Sequence, residues 1–571
     1  MNSVLRNTIE NINRDRISPD ILDGLSREFA DVLPEYLDAV IKSAVATLPS
    51  DSGFVYNGWR RLTPKEDFYN NIRSSINRNI VDIARNSLYK IELGFEFNGV
   101  QIKRILALPY VDIGGLLKLS DANYALVPVL SEYPIAPTNS ELFVRLLRDK
   151  LVIKKMRRNV LINRVKMPVS IYYSKTYKLV SKVNPSIPIA LYPIIKYGFY
   201  GTFERLMGAK PKVIFDEIDI KDYEKEYYVF ESTGARPRAF DKSKNYIPHT
   251  IKILVKKSEM TPVIKSYIGS LIYSFDMSPA FAMEFRKVIG KKKEPNTNLT
   301  LNNIDEETLF WMTLLGKIIF KNKYTLDRIQ VDMLEHINII NNYLDIIIKE
   351  RLKEINIVLD DFYDLLHWCI VNFDTYVQNY ESYSSNLSNR YIDMPYYVLY
   401  NHIEGINKAF LEIKRNINKK NFSKNDIEKI FNNFLSPKKI FGLIQAGGLN
   451  LSLIAVDVTG DSLYWKVTSV LPDQSQGQGV IKKKRDAFPP NIRRVKAEDL
   501  ILGSIFYLPK KAPSPRLRLN PYFKVDIHTG KAIINSDLRR ALNKIDTVLN
   551  KKEKSGFKIN ELMTEVDSRD M

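Results

Sequence analysis

Hydrophobic periodicity changes repeatedly along this chain, and these changes limit the folds open to it. SPDILDGLSREFADVLPEYLDAVIKSAVATL has apolar side chains three and four residues apart after a Ser-Pro start, so residues 1 to about 90 are predicted to be helical. From about residue 91, short β-type runs are broken by Asn-Gly and Gly-Gly, which predicts strands and turns. Helical spacing returns between about 300 and 375 and after 403, and strands are predicted from about 450.

The mixture of both periodicities in a chain of 571 residues predicts an α+β fold with three or four modules, because one core does not serve a chain of that length. Hydrophobic residues make up 45% of the chain and charged residues 26%, which is typical of globular proteins. The sequence shows no internal repeat and no long low-complexity tract.

The formal net charge of +20 favours a polyanionic partner, with nucleic acid first and an anionic membrane surface second. A solvated basic surface without a partner is the alternative. No run of 18 apolar residues is present and the start lacks a signal-peptide core, so a soluble, intracellular protein is predicted. A single cysteine, Cys369, excludes a disulfide framework and is expected to be a core thiol.

The segment Gly479–Lys511, GVIKKKRDAFPPNIRRVKAEDLILGSIFYLPKK, is the strongest candidate for phosphate contact. Pro489 and Pro490 fix the backbone between two cationic groups, which can then follow a phosphate backbone. A basic surface loop or a targeting run is the alternative. The candidate nucleic-acid-binding residues are Lys482, Lys483, Lys484, Arg485, Arg493, Arg494, Lys496, Lys510, Lys511, Arg516 and Arg518.

A second basic stretch, Arg145–Lys166, has nine cations against one aspartate. It is a secondary candidate for contact with duplex nucleic acid. Its candidate residues are Lys154, Lys155, Arg157 and Arg158.

Catalytic motifs are not found in the sequence. It has neither the phosphate-binding loop G-x-x-x-x-G-K-[ST] nor a dinucleotide fingerprint. Asp457 and Asp461, in VDVTGD, are more typical of a hairpin turn than of a magnesium site, which needs several converging carboxylates. No catalytic residue, metal site or cofactor is therefore predicted in this chain.

The basic segment resembles the fork loop of the β subunit of multisubunit RNA polymerases, which lies beside the downstream DNA and the active centre. In that family a glycine-rich turn leads to a cation pair, an aromatic residue, Arg-x-Val, a glycine and an apolar strand. The matching residues here are Gly477, Gly479, Lys484, Arg485, Phe488, Arg494, Val495 and Gly503, followed by IFYLPKKAP.

Further elements resemble the same family in the same order. They are YVDIGGLLKLSDANYALVPVL, IPIALYPIIKYG, LLGKIIF with a long helix ending in IKERL, and FLSPKKIFGLIQAGGLN. The family's Glu-Thr-Pro-Glu-Gly-Pro-Asn run is replaced by LPKKAPSPRLRLNP, so the role of its two glutamates does not carry over.

The resemblance implies the N-terminal half of a split β subunit of the giant-bacteriophage type. It implies a protrusion-like module in residues 1–170, with a return in 375–455, a lobe-like module in 171–374, and a β-rich, fork-like region with a subunit-joining edge in 456–571. The chain would form one wall of the cleft for DNA and RNA in a DNA-directed RNA polymerase. Its partners would be a β C-terminal part and β′-like subunits, one of which would hold the catalytic Mg²⁺. It would not bind a membrane, and it would lie in the cytoplasm of the bacterial host or in the virion.

Two other classes stay open on the residues alone. A non-enzymatic nucleic-acid-binding or virion structural protein of a phage explains the charge and the missing motifs equally well. A standalone nucleotidyltransferase would need converging carboxylates, and replacing Asp457 or Asp461 would then abolish its activity.

Overall fold

The structure is a computed structural model, and the description below covers only part of the chain. The described residues are 32–49, 52–76, 88–110, 116–119, 122–126, 129–146, 150–174, 187–215, 221, 223–232, 251–277, 280–289, 304–320, 325–340, 344, 346–380, 389–393, 395–417, 421–435, 453–455, 469–472, 517–518, 520, 523–526, 530–536, 539–540 and 543–544.

Helices and strands are interspersed along the described residues, so the predicted α+β class is confirmed. The helices are α1 (Leu33–Val45), α2 (Pro64–Ile76), α3 (Leu191–Met207), α4 (Pro262–Met277), α5 (Ala280–Val288), α6 (Glu306–Phe320), α7 (Leu326–Ile340), α8 (Ile346–Glu354), α9 (Phe362–Gln378), α10 (Pro395–Asn416) and α11 (Lys424–Phe434). The strands are β1 (Phe54–Arg61), β2 (Leu88–Phe97), β3 (Val100–Pro109), β4 (Leu116–Leu119), β5 (Ala122–Leu126), β6 (Val129–Glu132), β7 (Ile135–Pro137), β8 (Glu141–Arg145), β9 (Lys150–Ile162), β10 (Val165–Ser174), β11 (Ile187–Pro188), β12 (Lys212–Ile214), β13 (Tyr227–Glu231), β14 (Lys252–Lys256), β15 (Arg390–Asp393), β16 (Leu453–Ala455), β17 (Ser469–Pro472), β18 (Leu517–Arg518), β19 (Phe523–Val525) and β20 (Ala532–Ile534).

The predicted helical regions between 300 and 375 and after 403 are confirmed by α6 to α11. The prediction of helix up to about residue 90 is wrong at β1, whose sequence FVYNGWRR is rich in β-branched and aromatic residues. The register of β1 against β2 shifts between Tyr56 and Gly58, and this irregularity hides the strand alternation from a periodicity test.

A smaller core joins the first described elements to a distant part of the chain. One face of the antiparallel β1–β2–β3 sheet packs with α1, α10 and α11. Strand β2 shows why, because Ile91, Leu93, Phe95 and Phe97 alternate with partly exposed residues and all four are buried. Arg104 of β3 fixes the far end of α11 by donating to the Leu435 carbonyl oxygen at 2.8 Å.

A larger core lies between residues 135 and 373. Its sheet has the order β11–β10–β9–β13–β14–β12, and β9 also pairs with β8, which in turn pairs with β7. Helices α3 to α9 contribute buried side chains to this core, including Cys369 of α9, which is fully buried, as predicted for a core thiol. The module boundaries predicted from the sequence stay predictions.

A third assembly of strands contains the two described strands that flank the basic segment in sequence. The sheet order is β15–β6–β17–β18, with β17 parallel to β6 and antiparallel to β18. Strand β16 separately pairs with β5, in a sheet that also contains β4. The hairpin of β19 and β20 contacts β15, because the Ile392 amide donates to the Gly530 carbonyl oxygen at 2.7 Å.

Candidate nucleic-acid interface

The primary candidate residues lie almost entirely outside the described part of the chain. Of these residues, only Arg518 is described, as the second residue of β18. The residues that fall outside the description are Lys482, Lys483, Lys484, Arg485, Arg493, Arg494, Lys496, Lys510, Lys511 and Arg516.

The strands that flank this segment do have a defined arrangement. Ser469 of β17 pairs with Arg518 of β18, and Val470 pairs with Leu517. Directly opposed residues of an antiparallel pair have Cα atoms about 4.5–5.5 Å apart, so residues 473–516 begin and end at neighbouring points of one sheet. Those 44 residues contain ten Lys and Arg against four Asp and Glu. A net charge of +6 is thus attached at one place in the fold.

The four secondary candidates lie in the described strand β9, and strand alternation divides them between two faces of the larger sheet. The guanidinium of Arg158 lies 5.3 Å from the centre of the Tyr273 ring in α4, so Lys154 and Arg158 belong to the α4 face. The ammonium of Lys155 contacts Asp374 of α9, so Lys155 and Arg157 belong to the α9 face.

Two of the four cations are neutralised by carboxylates. Lys154 forms an ion pair with Glu141, which is directly opposite it in β8. The Lys155 Nζ donates to both oxygens of Asp374 at 2.7 Å, and the Tyr172 hydroxyl donates to one of them at 3.3 Å. Burial, followed by the nearby Asp374 charge, raises the pKa of Tyr172, so this hydroxyl keeps its proton and remains a donor. A lysine that is paired with a carboxylate adds little net positive charge to the surface, so it contributes little to binding a phosphate.

Arg157, like Arg158, is exposed and has no carboxylate partner among the described residues, but Arg157 lies on the α9 face. Its neighbours on the α9 face follow from the register of β9 and β10, in which Arg157 opposes Ser170 and Asn159 opposes Pro168. Lys166 opposes Leu161 and so belongs to the same face. We name this surface the open face; it consists of Arg157, Asn159, Lys166, Pro168 and Ser170.

The five residues of the open face include two cations and no acidic side chain, and Glu231 of β13, which opposes Leu161, lies beside them on the same side of the sheet. Arg157, Asn159, Lys166 and Pro168 are exposed and Ser170 is half-buried. Apart from Pro168, its groups are cations and neutral hydrogen-bonding side chains, which are the groups that contact phosphate oxygens in nucleic-acid complexes. None of its members is aromatic, so it offers no stacking platform of the kind that binds single-stranded bases. The arrangement suits the backbone of a duplex.

A two-residue turn explains why the hairpin holds this register. Asn163 and Arg164 both have positive φ, at 47° and 64°, as a type I′ turn requires. The Asn163 amide donates to the Val229 carbonyl oxygen at 2.9 Å, and the Asn163 Oδ1 accepts from the Val229 amide at 2.8 Å. These two bonds fix the tip of the hairpin to β13.

Lys166 was missed as a candidate by the sequence reasoning, although it is the last residue of the basic stretch. The signal was present in Asn163, because asparagine is favoured where both central residues of a hairpin turn need positive φ. A two-residue turn at 163–164, combined with alternation, would have placed Lys166 on the face of Arg157.

Within the described ranges, no group of three or more His, Cys, Asp or Glu residues is arranged so that it could hold a metal ion. Asp457 and Asp461 are outside those ranges. Asp361 caps the N-terminus of α9, accepting from the amides of Tyr363 at 2.9 Å and Asp364 at 3.1 Å, and it pairs with Lys196. In the described part, no helix is long and apolar enough to cross a membrane.

The described residues together form an α+β protein with a basic surface, the open face, on its larger sheet. A family model described as non-virion RNA polymerase subunit matches residues 25–452. That match covers most of the chain, which therefore belongs to this family of RNA polymerase subunits. Other RNA polymerase subunits are accordingly its partners. No curated protein matches the chain significantly.

Proposed function

We propose that this subunit is the N-terminal part of a split β subunit, and that it forms one wall of the cleft for DNA and RNA. In this proposal residues 456–571 contain the fork, and the chain has no catalytic metal site of its own. The Mg²⁺ that catalyses nucleotide addition is held by a β′-like partner, and a separate chain supplies the C-terminal part of β. Whether the polymerase works in the host cytoplasm or is packaged in the virion stays a prediction.

The open face is the observation that supports contact with nucleic acid most directly. Arg157 and Lys166 present two cations on one side of a rigid hairpin, and no carboxylate among the described residues neutralises them. Release of counterions from the phosphates would make this binding independent of sequence, as a processive polymerase requires. The same physics applies to the basic segment attached at β17 and β18.

The β assignment is supported by the resemblance of the ordered sequence elements to the β subunit. One of those elements, LLGKIIF, lies in α6, and another, IPIALYPIIKYG, forms β11 and the first part of α3. The two cores are compatible with the assignment, because the smaller core combines residues 33–108 with residues 399–435 and the larger core lies between them in sequence. A return of the chain to its first module is what the resemblance implies.

The decisive test of the interface compares two double variants of the same strand region. R157A/K166A removes the open-face cations, and K154A/R158A removes the same number of charges from the α4 face. Binding of the assembled polymerase to a fluorescent DNA duplex is measured between 50 and 300 mM salt. The magnitude of the slope of log K against log salt is called the salt slope. We expect it to decrease by about 1.8 for R157A/K166A, at about 0.9 for each phosphate contact, and to stay unchanged for K154A/R158A.

Two further variants complete the experiment. D374N removes the carboxylate beside Lys155 and is expected to increase the salt slope by up to about 0.9, because Lys155 becomes available to a phosphate. R493A/R494A tests the basic segment in the same way. Equal slopes for R157A/K166A and K154A/R158A would contradict the assignment of the open face.

The β assignment needs a separate test. The tagged chain is purified from infected host cells and its partners are identified by mass spectrometry. Recovery of a chain with an Asp-x-Asp-x-Gly-Asp motif and of a distinct chain resembling the C-terminal half of β would support the proposal. Recovery of a complete N-terminal β half on another polypeptide would overturn it.

A further inference from the structure

A buried cluster of arginine and tyrosine side chains lies where the two cores meet the sheet that bears the basic segment. Its centre is Arg351 of α8, whose side chain is only 4% exposed. Helix α8 touches both cores, since Ile348 and Leu352 belong to the larger core and Ile346 packs against the smaller one. A buried guanidinium is tolerated only when its donors and charge are matched by partners, so its contacts are informative.

The contacts of Arg351 reach three different elements. Its Nη1 donates to Glu354 Oε1 in the next turn of α8 at 2.7 Å, and its Nη2 donates to the Tyr36 hydroxyl of α1 at 3.2 Å. Its guanidinium lies over the Tyr391 ring of β15, 4.6 Å from the centre. One side chain thus ties the smaller core, the larger core and the third sheet together.

The contacts of Arg351 and Glu354 with the third sheet involve two neighbouring strands. Tyr391 is in β15, and Tyr133 directly follows β6, the strand with which β15 pairs. The Tyr133 hydroxyl donates to Glu354 Oε2 at 3.2 Å, and the Tyr133 and Tyr391 rings lie 5.2 Å apart. Burial and the Glu354 charge raise the pKa of Tyr133 to about 12, so it stays a neutral donor. The Arg351–Glu354 pair therefore holds the ends of both strands.

Strands β6 and β15 belong to the sheet whose other strands, β17 and β18, flank the basic segment in sequence. Strand β6 pairs with β17, and β17 pairs with β18, so the strands directly before and after residues 473–516 both belong to that sheet. On its other side, β15 binds the β19–β20 hairpin through Ile392 and Gly530. A shift of Tyr133 and Tyr391 would move the whole sheet relative to both cores.

We propose that Arg351 is a positioning residue, which fixes the sheet bearing the basic segment against both cores and so sets where that segment meets nucleic acid. It does this without touching nucleic acid, because it is buried. Only the consequence for nucleic-acid binding rests on the proposed function; the positioning itself does not.

The first measurement is hydrogen exchange of the full-length chain in R351M and R351K. Arg351→Met keeps the length of the side chain and removes the charge and the donors, whereas Arg351→Lys keeps the charge. The matched control is R415M, which breaks an Arg–Glu pair of the same three-residue spacing on the exposed side of α10. We expect exchange at residues 129–133, 390–393 and 469–472 to be at least about tenfold faster in R351M, with α6 unchanged.

The lysine variant separates positioning from simple loss of charge. Lysine cannot donate to Glu354 and Tyr36 while lying flat on Tyr391, so R351K is expected to show most of the same acceleration. Uniformly faster exchange over the larger core in R351M and R351K would mean that Arg351 only stabilises the fold, and the proposal would be wrong. Exchange in R351M no faster than in R415M would also overturn it.

The second measurement is duplex binding by the assembled polymerase with R351K. Because a displaced basic segment loses some of its phosphate contacts, we expect a weaker affinity together with a smaller salt slope, whereas R415M should change neither. An affinity and a salt slope equal to those of the wild-type polymerase would show that Arg351 does not set where the segment meets nucleic acid. Should the wild-type polymerase fail to bind DNA at all, the proposed function would fall, while hydrogen exchange would still decide the role of Arg351.

Discussion

Replacing Gly198 by alanine is expected to destabilise the larger core strongly, because this glycine occupies a backbone conformation that alanine avoids. Helix α3 is kinked at Gly198, which has φ 71° and ψ 175°. That region is almost exclusive to glycine. A Cβ atom there would lie 3.0 Å from Oε2 and 3.2 Å from Oε1 of Glu307, and would press against a carboxylate that is itself buried.

Hydrogen bonds to Glu307 stabilise the kink at Gly198, so disturbing the kink lowers the free energy of unfolding. Its Oε1 accepts from the Phe199 amide at 2.7 Å and from the Trp311 Nε1 at 3.1 Å, so it satisfies a backbone donor that the kink exposes. Backbone strain of about 1–3 kcal/mol and weakening of charge-assisted hydrogen bonds worth about 1.5–3 kcal/mol give an expected loss of about 2.5–6 kcal/mol. That is a large part of the free energy of unfolding of a typical protein, about 5–15 kcal/mol.

The assay is urea unfolding of the full-length chain followed by tryptophan fluorescence, with G201A as the matched control. Gly201 lies in the same helix without a positive φ, and a Cβ atom there would meet only the Tyr197 Cβ at an ordinary 3.6 Å. G201A should be neutral or stabilising by up to about 1 kcal/mol. If G198A and G201A have the same unfolding midpoint, the argument from backbone strain and from Glu307 is refuted.

Two other predictions concern stability. Burial lowers the pKa of His336 and His367 from 6.5 to about 4, so the unfolded chain binds more protons between those values and stability should fall as the pH drops from about 6.5 towards 4, by up to about 1.4 kcal/mol per pH unit for each histidine. Urea midpoints at pH 7, 6 and 5 measure this fall, and H336Q and H367Q should flatten it; a wild-type midpoint that does not change would contradict the prediction. G316A should cost about 1–3 kcal/mol, because a Cβ atom there would lie 2.4 Å from Ile329 Cγ2 and 2.8 Å from Met333 Cγ, where α6 and α7 approach closely. In a double-mutant cycle with I329A the two losses should be less than additive, and strict additivity would count against a clash between these two residues.

The sequence predicted the parts of the fold that depend on local pattern. The three- and four-residue spacing in DRIQVDMLEHINII appears as α7, and the apolar run around Cys369 appears as the buried side of α9. It failed at β1, where an irregular register breaks the alternation. Local patterns gave no hint that Leu33 to Leu108 share a core with Leu399 to Leu435, because contacts between such distant segments leave no local signal. Only the family resemblance implied a return of residues 375–455 to the first module.

The candidate interface was predicted only in outline, because a count of charges does not show which charges are already neutralised. Nine cations in Arg145–Lys166 would imply a salt slope of roughly 8 if each met a phosphate. In the structure Arg145 is 7% exposed and its Nη1 donates to the Tyr391 hydroxyl at 3.5 Å, while Arg164 pairs with Glu224 at 3.6 Å. Lys154 and Lys155 pair with Glu141 and Asp374 in the same way.

Those pairings need residues far apart in sequence, such as Lys155 and Asp374, and no spacing rule reveals them. Arg158 keeps its charge but lies against the Tyr273 ring on the α4 face, so Arg157 and Lys166 are the open cations of the α9 face among the side chains described in this stretch. Counting only the seven cations whose side chains are described, the open face predicts a contribution of about 2 to the salt slope, against roughly 6 if all seven met phosphates. A measured contribution near the larger value would mean that the ion pairs to Glu141, Glu224 and Asp374 open when nucleic acid binds, and that counting charges was the better guide.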